Sequence, residues 1–239
     1  MIAFIYPIPL LGLVYLPRFF RDLYRYQRLS GSKKVALGDL YPCLLDSTIN
    51  TPFDAHYFYQ GAWLGRKLKG LSVQNHVDIA SSVLTVSVLS AFVDTIFVDY
   101  RPLKTNLVGL KSLPGDILNL PFESSSQPSV SCLHVIEHIG LGRYGDPLNP
   151  MGSFEAALEL QRILMPEGNL YITLPVGRER ICFNAHRIHF PETVLNLFPD
   201  LQLVDFSYVD DGGQFHPNAQ IGLAKTLEYG CGLYHFKKT

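Results

Sequence analysis

The chain has 239 residues, with 47% hydrophobic and 17% charged side chains and a formal net charge of -1. That content is ample for a buried core and argues against disorder, and the near-neutral balance lacks the basic footprint of a nucleic-acid binder. Four widely spaced cysteines (Cys43, Cys132, Cys182 and Cys231), without a CxxC pair, read as reduced thiols of a cytoplasmic protein rather than a disulfide or zinc framework.

Ile2 to Pro17 is uncharged but interrupted by Pro7 and Pro9 and shorter than a bilayer span; it also lacks the basic start of a signal peptide. Arg18, Arg21, Arg25 and Arg28 then share one helical stripe, with Phe19, Phe20, Leu23 and Tyr24 to the other side. Residues 1–30 therefore read as an apolar and basic amphipathic extension. Residues 1–29 are suited either to rest peripherally on the anionic inner face of a membrane or to pack on the protein with a solvated arginine face. Residues 31–74 form a lead-in, irregular at first and then helical from Ala55 to Leu68.

From residue 75 to 239 the pattern alternates between short apolar runs and helical stretches. His76–Ala80 and Thr95–Asp99 read as the first two strands, and a weaker third approaches Asp116. Val130–His134 and Asn169–Pro175 read as the fourth and fifth. Leu201–Val209 and Gly232–Lys237 would close the sheet as a late pair. SSVLTVSVLSA over residues 81–91 is rich in β-branched residues, yet it must be helical if the first crossover is to exist. The clearest helix spans Ser153–Met165, with Ser153 as the expected N-cap and Pro166 and Gly168 as the stop. The expected architecture is α/β: a Rossmann-like, doubly wound, mostly parallel sheet with a late antiparallel strand.

Ligands of such sheets bind beyond the carboxyl ends of the strands. Asp78 lies in the first strand, and Asp99 ends the second, where one carboxylate can accept from two ribose hydroxyls. Asp116 ends the third, where it could take an adenine amino group, with Ile117 beside it for the purine face. The loop after the fourth strand carries His134, Glu137 and His138, then GLGRYGD. Its Arg143, Tyr144 and Asp146 suit a polar acceptor, and either His134 or His138 is a candidate general base. Glu137 reads as a packing or capping residue. Asn184, His186 and Arg187 follow the fifth strand as further candidate substrate groups. His186 and His189 have no carboxylate companion nearby in sequence, so no metal site is expected from spacing. DDGG at residues 210–213 reads as a turn, with cleft lining as the minor alternative.

SVSCLHVIEHIG and ELQRILMPEGNLYITLP resemble the fourth- and fifth-strand signatures of class I S-adenosylmethionine (SAM)-dependent methyltransferases. GDILNLPF resembles their adenine-contacting turn, and FNAHRIHFPETVLNLF the segment before a late helix. More narrowly, AHYFYQ, HIGLGRYGDP and PVGRERICFNAHR are similar to segments of an uncharacterised bacterial family of methyltransferase-like proteins. The resemblance implies SAM as cofactor, held by Asp78, Ala80, Ser81, Ser82, Asp99, Asp116, Ile117 and His134. It also implies transfer to a small-molecule or glycan-type acceptor, at a hydroxyl. The first loop departs from the family pattern: Asp78-Ile-Ala-Ser-Ser-Val83 has no glycine. That departure leaves a second reading open, a non-catalytic methyltransferase fold serving as a binding or membrane-associated scaffold. A nicotinamide dehydrogenase ranks lower, because G-x-G-x-x-G is missing.

Overall fold

In the computed structural model the described residues are 10–239, and the chain divides into two compact units, residues 1–53 and 54–239. The first part of the apolar N-terminal stretch lies outside the described residues. Within the first unit, helix α1 (Leu16–Gln27) buries no side chain. Phe20 and Tyr24 are exposed, and the Arg28 guanidinium lies over the Tyr24 ring. Among the described residues no helix is long and apolar enough to cross a membrane.

The second unit begins with helix α2 (Ala55–Gly70), whose N-cap Asp54 accepts from the backbone N–H groups of His56 and Tyr57. The strands follow as β1 (Asn75–Ile79), β2 (Asp94–Asp99), β3 (Leu110–Pro114), β4 (Gln127–Leu133) and β5 (Leu164–Val176). A small hairpin, β6 (Arg180–Cys182) and β7 (His186–Ile188), precedes β8 (Leu201–Val209), β9 (Phe215–His216) and β10 (Gly230–Lys238). The main sheet runs β3-β2-β1-β4-β5-β10-β8-β9. Its first five strands are mutually parallel, β10 is antiparallel to β5 and β8, and β9 is antiparallel to β8. This is the doubly wound, mostly parallel α/β sheet that the alternating pattern implies, closed by antiparallel strands.

Residues 83–89 are helical (α3, Val83–Leu89), so the topological demand of a β1-to-β2 crossover prevails over β-branched propensity. Four local expectations change. Among the described residues, no helix intervenes between β2 and β3 or between β3 and β4. Helix α4 spans Gly152–Ile163 with Met151 at its N-cap, because the Ser153 hydroxyl donates instead to the carbonyl of Ile136 at 2.6 Å. Leu164 is already extended and opens β5, since Pro166 disfavours helical backbone just before it. The late helix is one short 3-10 stretch, Thr193–Leu197.

The two faces of the sheet differ in chemistry. Under α4, the side chains of Val77, Ile79, Val130, Cys132, Leu170, Ile172, Leu174 and Phe236 form an apolar core with Leu160 and Ile163. Under α2, Trp63, Leu64 and Leu68 pack on Leu133, Tyr171 and Leu233. Each such aliphatic or aromatic burial contributes about 1.5–3 kcal/mol. The same α2 face of the sheet also carries buried polar groups. His76 bridges the hydroxyls of Ser129 and Ser131, at 2.8 Å to each, and Ser131 donates to Asp78. Thr173 donates to Gln60 of α2 at 2.5 Å, and Lys67 of α2 pairs with Asp205.

Asp78 is completely buried. Burial pushes its carboxyl up to about 6, although hydrogen bonds from Ser131 and Ser81 favour the charged form. The folded protein therefore binds a proton more tightly than the unfolded chain. Stability from this group is fully present below its ordinary pKa of 3.8 and declines as pH rises to about 6, by roughly 3 kcal/mol in total. Denaturant unfolding between pH 4 and 7 should show this decline in the native protein, and Asp78→Asn should remove that part of the slope.

Candidate functional site

A cleft of about 490 Å³ opens where β4, β5 and β10 meet the N-terminus of α2. Its walls come from six places in the chain: Asp54–Tyr57 at the start of α2, the loop after β4 (His134, Glu137, His138 and Arg143), Pro175 of β5, Ala185 and His186 of the β6–β7 hairpin, Asp210, Asp211 and Gly213 after β8, and Tyr229 before β10. The loop after β4 is folded tightly. Gly140 has φ +80°, and a Cβ there would stand 2.1 Å from the carbonyl oxygen of Asn149. Only glycine fits.

Three buried groups form a chain that runs from the cleft into the protein. His134, with φ +54°, ends β4 and is 9% exposed. Its Nδ1 lies 2.9 Å from Glu137 Oε1, and its Nε2 lies 3.3 Å from Cys231 Sγ of β10. Burial acts to lower the His134 pKa, but the adjoining Cys231 sulfur and Glu137 carboxylate outweigh it and raise the pKa to about 10. Glu137 is completely buried. Burial works to raise its pKa, yet the His134 hydrogen bond and charge prevail and hold it low. Its Oε2 has no hydrogen-bond partner among the described residues. From α2, the His56 ring stacks on His134 at 5.6 Å between centroids and 10° between planes. Burial and the His134 charge lower His56 to about 4, so it is a neutral imidazole near pH 7.

His138 is arranged differently. Its Nδ1 lies 2.6 Å from the carbonyl oxygen of Ala185, which can only accept. Nδ1 therefore carries the proton, and the Nε2 lone pair is free. Glu137 Oε1 stands 3.7 Å from that nitrogen. Burial lowers the His138 pKa despite the raising influence of Glu137. Arg143 shares the Ala185 carbonyl at 3.1 Å, and Tyr144 meets the His138 ring edge-on.

Of the residues expected from sequence to meet a ligand, the cleft brings together His134, His138, Arg143 and His186. Asn184 is exposed at the hairpin tip and Tyr144 is 55% exposed; neither lines the cleft. Asp146 has a structural task instead: its carboxylate accepts from the backbone N–H groups of Gly140, Gly142 and Tyr144. So has Arg187, only 7% exposed, which donates to the carbonyls of Ile139, Asn149 and Pro150 and to the Ser153 hydroxyl. Both support the loop, and neither lines the cleft. Asp78 is likewise internal, receiving the Ser81 N–H and the Ser131 hydroxyl. Ser81 Oγ accepts from Leu133 N at 3.0 Å. Ala80 has φ +54°, and Ser82 precedes α3 without capping it through its side chain. Asp99 ends β2 and Asp116 lies two residues beyond the end of β3, both outside the cleft, with Ile117 buried beside Asp116.

His56, Asp54, Tyr57 and Tyr229 were not singled out from sequence, although Asp54 carried a legible signal as an acidic N-cap before an apolar-periodic run. Asp210 and Asp211 do line the cleft. Asp210 also turns the backbone and pairs with His216, and Asp211 receives the N–H groups of Glu228 and Tyr229.

This topology recurs among solved structures. The chain matches an N-methyltransferase, NodS, from Bradyrhizobium japonicum in complex with S-adenosyl-L-homocysteine (SAH) with TM-score 0.53 and 14% identity, over 92% of this chain and 97% of that one. A putative sarcosine dimethylglycine methyltransferase from Galdieria sulphuraria matches with TM-score 0.55 and 14% identity, over 76% and 85% of the respective chains. A geranyl diphosphate methyltransferase in complex with SAM matches with TM-score 0.54 and 12% identity, over the same shares. The fold is class I SAM-methyltransferase-like. Residues 124–212, from the approach to β4 through the turn after β8, match a family described as "Caenorhabditis protein of unknown function, DUF268". No curated protein matches the chain.

Arg187 is the most testable of the supports. Arg187→Met leaves buried carbonyls without a donor and should destabilise the protein by about 2–4 kcal/mol in denaturant unfolding.

Proposed function

We propose that the chain transfers a methyl group from SAM to a small or glycan-type acceptor at a hydroxyl, with His138 as general base. One observation carries the assignment of the base: the Ala185 carbonyl selects the His138 tautomer whose free Nε2 can receive a proton. The lowered pKa keeps that nitrogen unprotonated near pH 7, and the neighbouring Glu137 stabilises the imidazolium once it forms. His134 suits this role less well. Its raised pKa leaves it protonated near neutrality. Arg143 and His186 then serve to orient a polar acceptor in the cleft.

The strand ends beside the cleft fit a nucleoside cofactor. SAM, when bound, supplies an electrophilic sulfonium methyl. Asp99 uses Oδ1 for the Arg101 N–H at 2.7 Å, which leaves Oδ2 for ribose hydroxyls. Asp116 uses Oδ1 for the Leu118 N–H at 2.9 Å, which leaves Oδ2 for an adenine amino group. Ala80 adopts the left-handed backbone that glycine usually supplies, so the glycine-free loop retains the turn that a close approach needs. The Ser82 hydroxyl remains for the cofactor's carboxylate, with Ser81 behind it, while Asp78 fixes the shape of the loop.

Calorimetry with SAM or SAH should show saturable heat, and Asp99→Ala should weaken that binding at least about 10-fold. Absence of binding by the native protein would sink the reading. With an acceptor found by SAH release from a panel of sugars and small alcohols, His138→Gln should lower kcat by about 10²–10⁴ while leaving SAH affinity unchanged. The acid limb of the native rate profile should fall below about pH 6.5, the ordinary imidazole value.

A second reading concerns location. The basic stripe and the exposed Phe20 and Tyr24 of α1 support peripheral attachment to the anionic inner face of a membrane, as in a membrane-associated scaffold. Deleting residues 1–28 should abolish co-sedimentation with vesicles rich in phosphatidylserine; unchanged partitioning would count against it.

A further inference from the structure

Two side chains that line the cleft, His56 and His134, and one buried beneath it, Cys231, are far apart in sequence yet bring metal-ligating atoms within 4.8 Å of one another. They come from the first turn of α2, the end of β4 and the start of β10. We propose that these residues bind a Zn²⁺ ion, with a fourth coordination position open to the cleft. The inference is independent of methyl transfer and adds a metal site to a cleft whose sequence spacing suggested none.

Donor type, distance and surroundings agree. Two imidazoles and a thiolate are ordinary Zn²⁺ ligands, and three protein ligands plus an exchangeable position are the pattern of open zinc sites. Zn–N and Zn–S bonds of about 2.0 and 2.3 Å in tetrahedral geometry set nitrogen and sulfur about 3.5 Å apart. His134 Nε2 and Cys231 Sγ are already at 3.3 Å. The widest separation in the cluster, up to 4.8 Å, needs to close by about an ångström. His56 is free to make that adjustment, because it lies in the first helical turn, is only partly buried, and its ring makes no hydrogen bond among the described residues.

The support behind the ligands points the same way. Glu137 Oε1 accepts from His134 Nδ1 at 2.9 Å, which turns Nε2 toward Cys231 and His56. A carboxylate behind a ligating histidine is the usual outer support of a zinc site. Glu137 is wholly buried, its Oε2 has no partner among the described residues, and a cation bound by His134 would offset that buried negative charge. Binding would displace the proton between His134 and Cys231, so both ligands enter in their lone-pair forms. A cysteine nucleophile activated by His134 is the competing use of the same atoms. It is disfavoured because Cys231 is 0% exposed and does not line the cleft.

The test uses the full chain, stripped with a chelator and then titrated with Zn²⁺ and, as a spectroscopic probe, Co²⁺. The expected result is one ion per chain, with sulfur-to-cobalt charge-transfer absorption and the visible bands of a four-coordinate ion. Cys231→Ser should abolish the charge-transfer band, and His56→Ala should weaken Zn²⁺ affinity at least about 100-fold. Glu137→Gln should weaken it by about 10- to 100-fold. Should Cys231→Ser fail to fold, His56→Ala decides the matter, because its side chain is outside the core. Absence of stoichiometric binding, a cobalt spectrum without the sulfur band, or Zn²⁺ affinity unchanged by His56→Ala would overturn the proposal.

Discussion

Helix α2 is held to the sheet by side chains that are polar as well as buried, and the candidate site depends on that seating. Trp63, Leu64 and Leu68 supply apolar contact, but the buried Gln60 receives the Thr173 hydroxyl and the half-buried Lys67 pairs with Asp205. Apolar surface alone tolerates sliding of a helix, whereas paired polar groups impose a register, because a shifted helix would leave them buried and unsatisfied. That register fixes where the first turn of α2 ends. His56 consequently stacks on His134, and Tyr57 stands within 5.3 Å of the same ring.

The polar character of this sheet face continues through the strands. His76, Ser129, Ser131 and Asp78 join β1 to β4, and His235 meets Asn169 across β10 and β5. The opposite face, under α4, is apolar. The sheet thus has one side built for packing and another built for hydrogen bonding. The cleft opens at the edge of the second. Charge and lone pairs concentrate there, beyond the carboxyl ends of β4 and β5, in accord with the general placement of ligands in such folds.

The loop after β4 shows how close a functional and a structural residue can lie. His138 and Arg143 face the cleft, while Asp146 and Arg187 hold the loop's backbone from behind. All four are polar and clustered in sequence around segments rich in glycine or histidine. Composition does not separate them. What separates them is direction: Arg187 meets several convergent carbonyls and is consumed by them, whereas Arg143 reaches one carbonyl and the open cleft.

The strand alternation, the crossover helix at residues 83–89 and the strand-end aspartates were legible in the sequence because each is a local pattern: an apolar run, a topological necessity or an acid at a run's end. Asp99 ends β2, paired with Pro114 of β3, and Asp116 lies two residues beyond that strand in an isolated bridge with Asn119. The N-cap of α4 and the short 3-10 stretch at residues 193–197 were not legible, since the Ser153 hydroxyl is claimed by Ile136 from another segment. The histidine–cysteine cluster was invisible for a stronger reason. His56, His134 and Cys231 belong to three elements, and no spacing along the chain records that β10 inserts beside β5 under the first turn of α2. The sequence by itself determined the doubly wound sheet and the kind of residues available at its rim. Only the tertiary structure decided which of them meet, because that choice rests on strand order and helix register rather than on local periodicity.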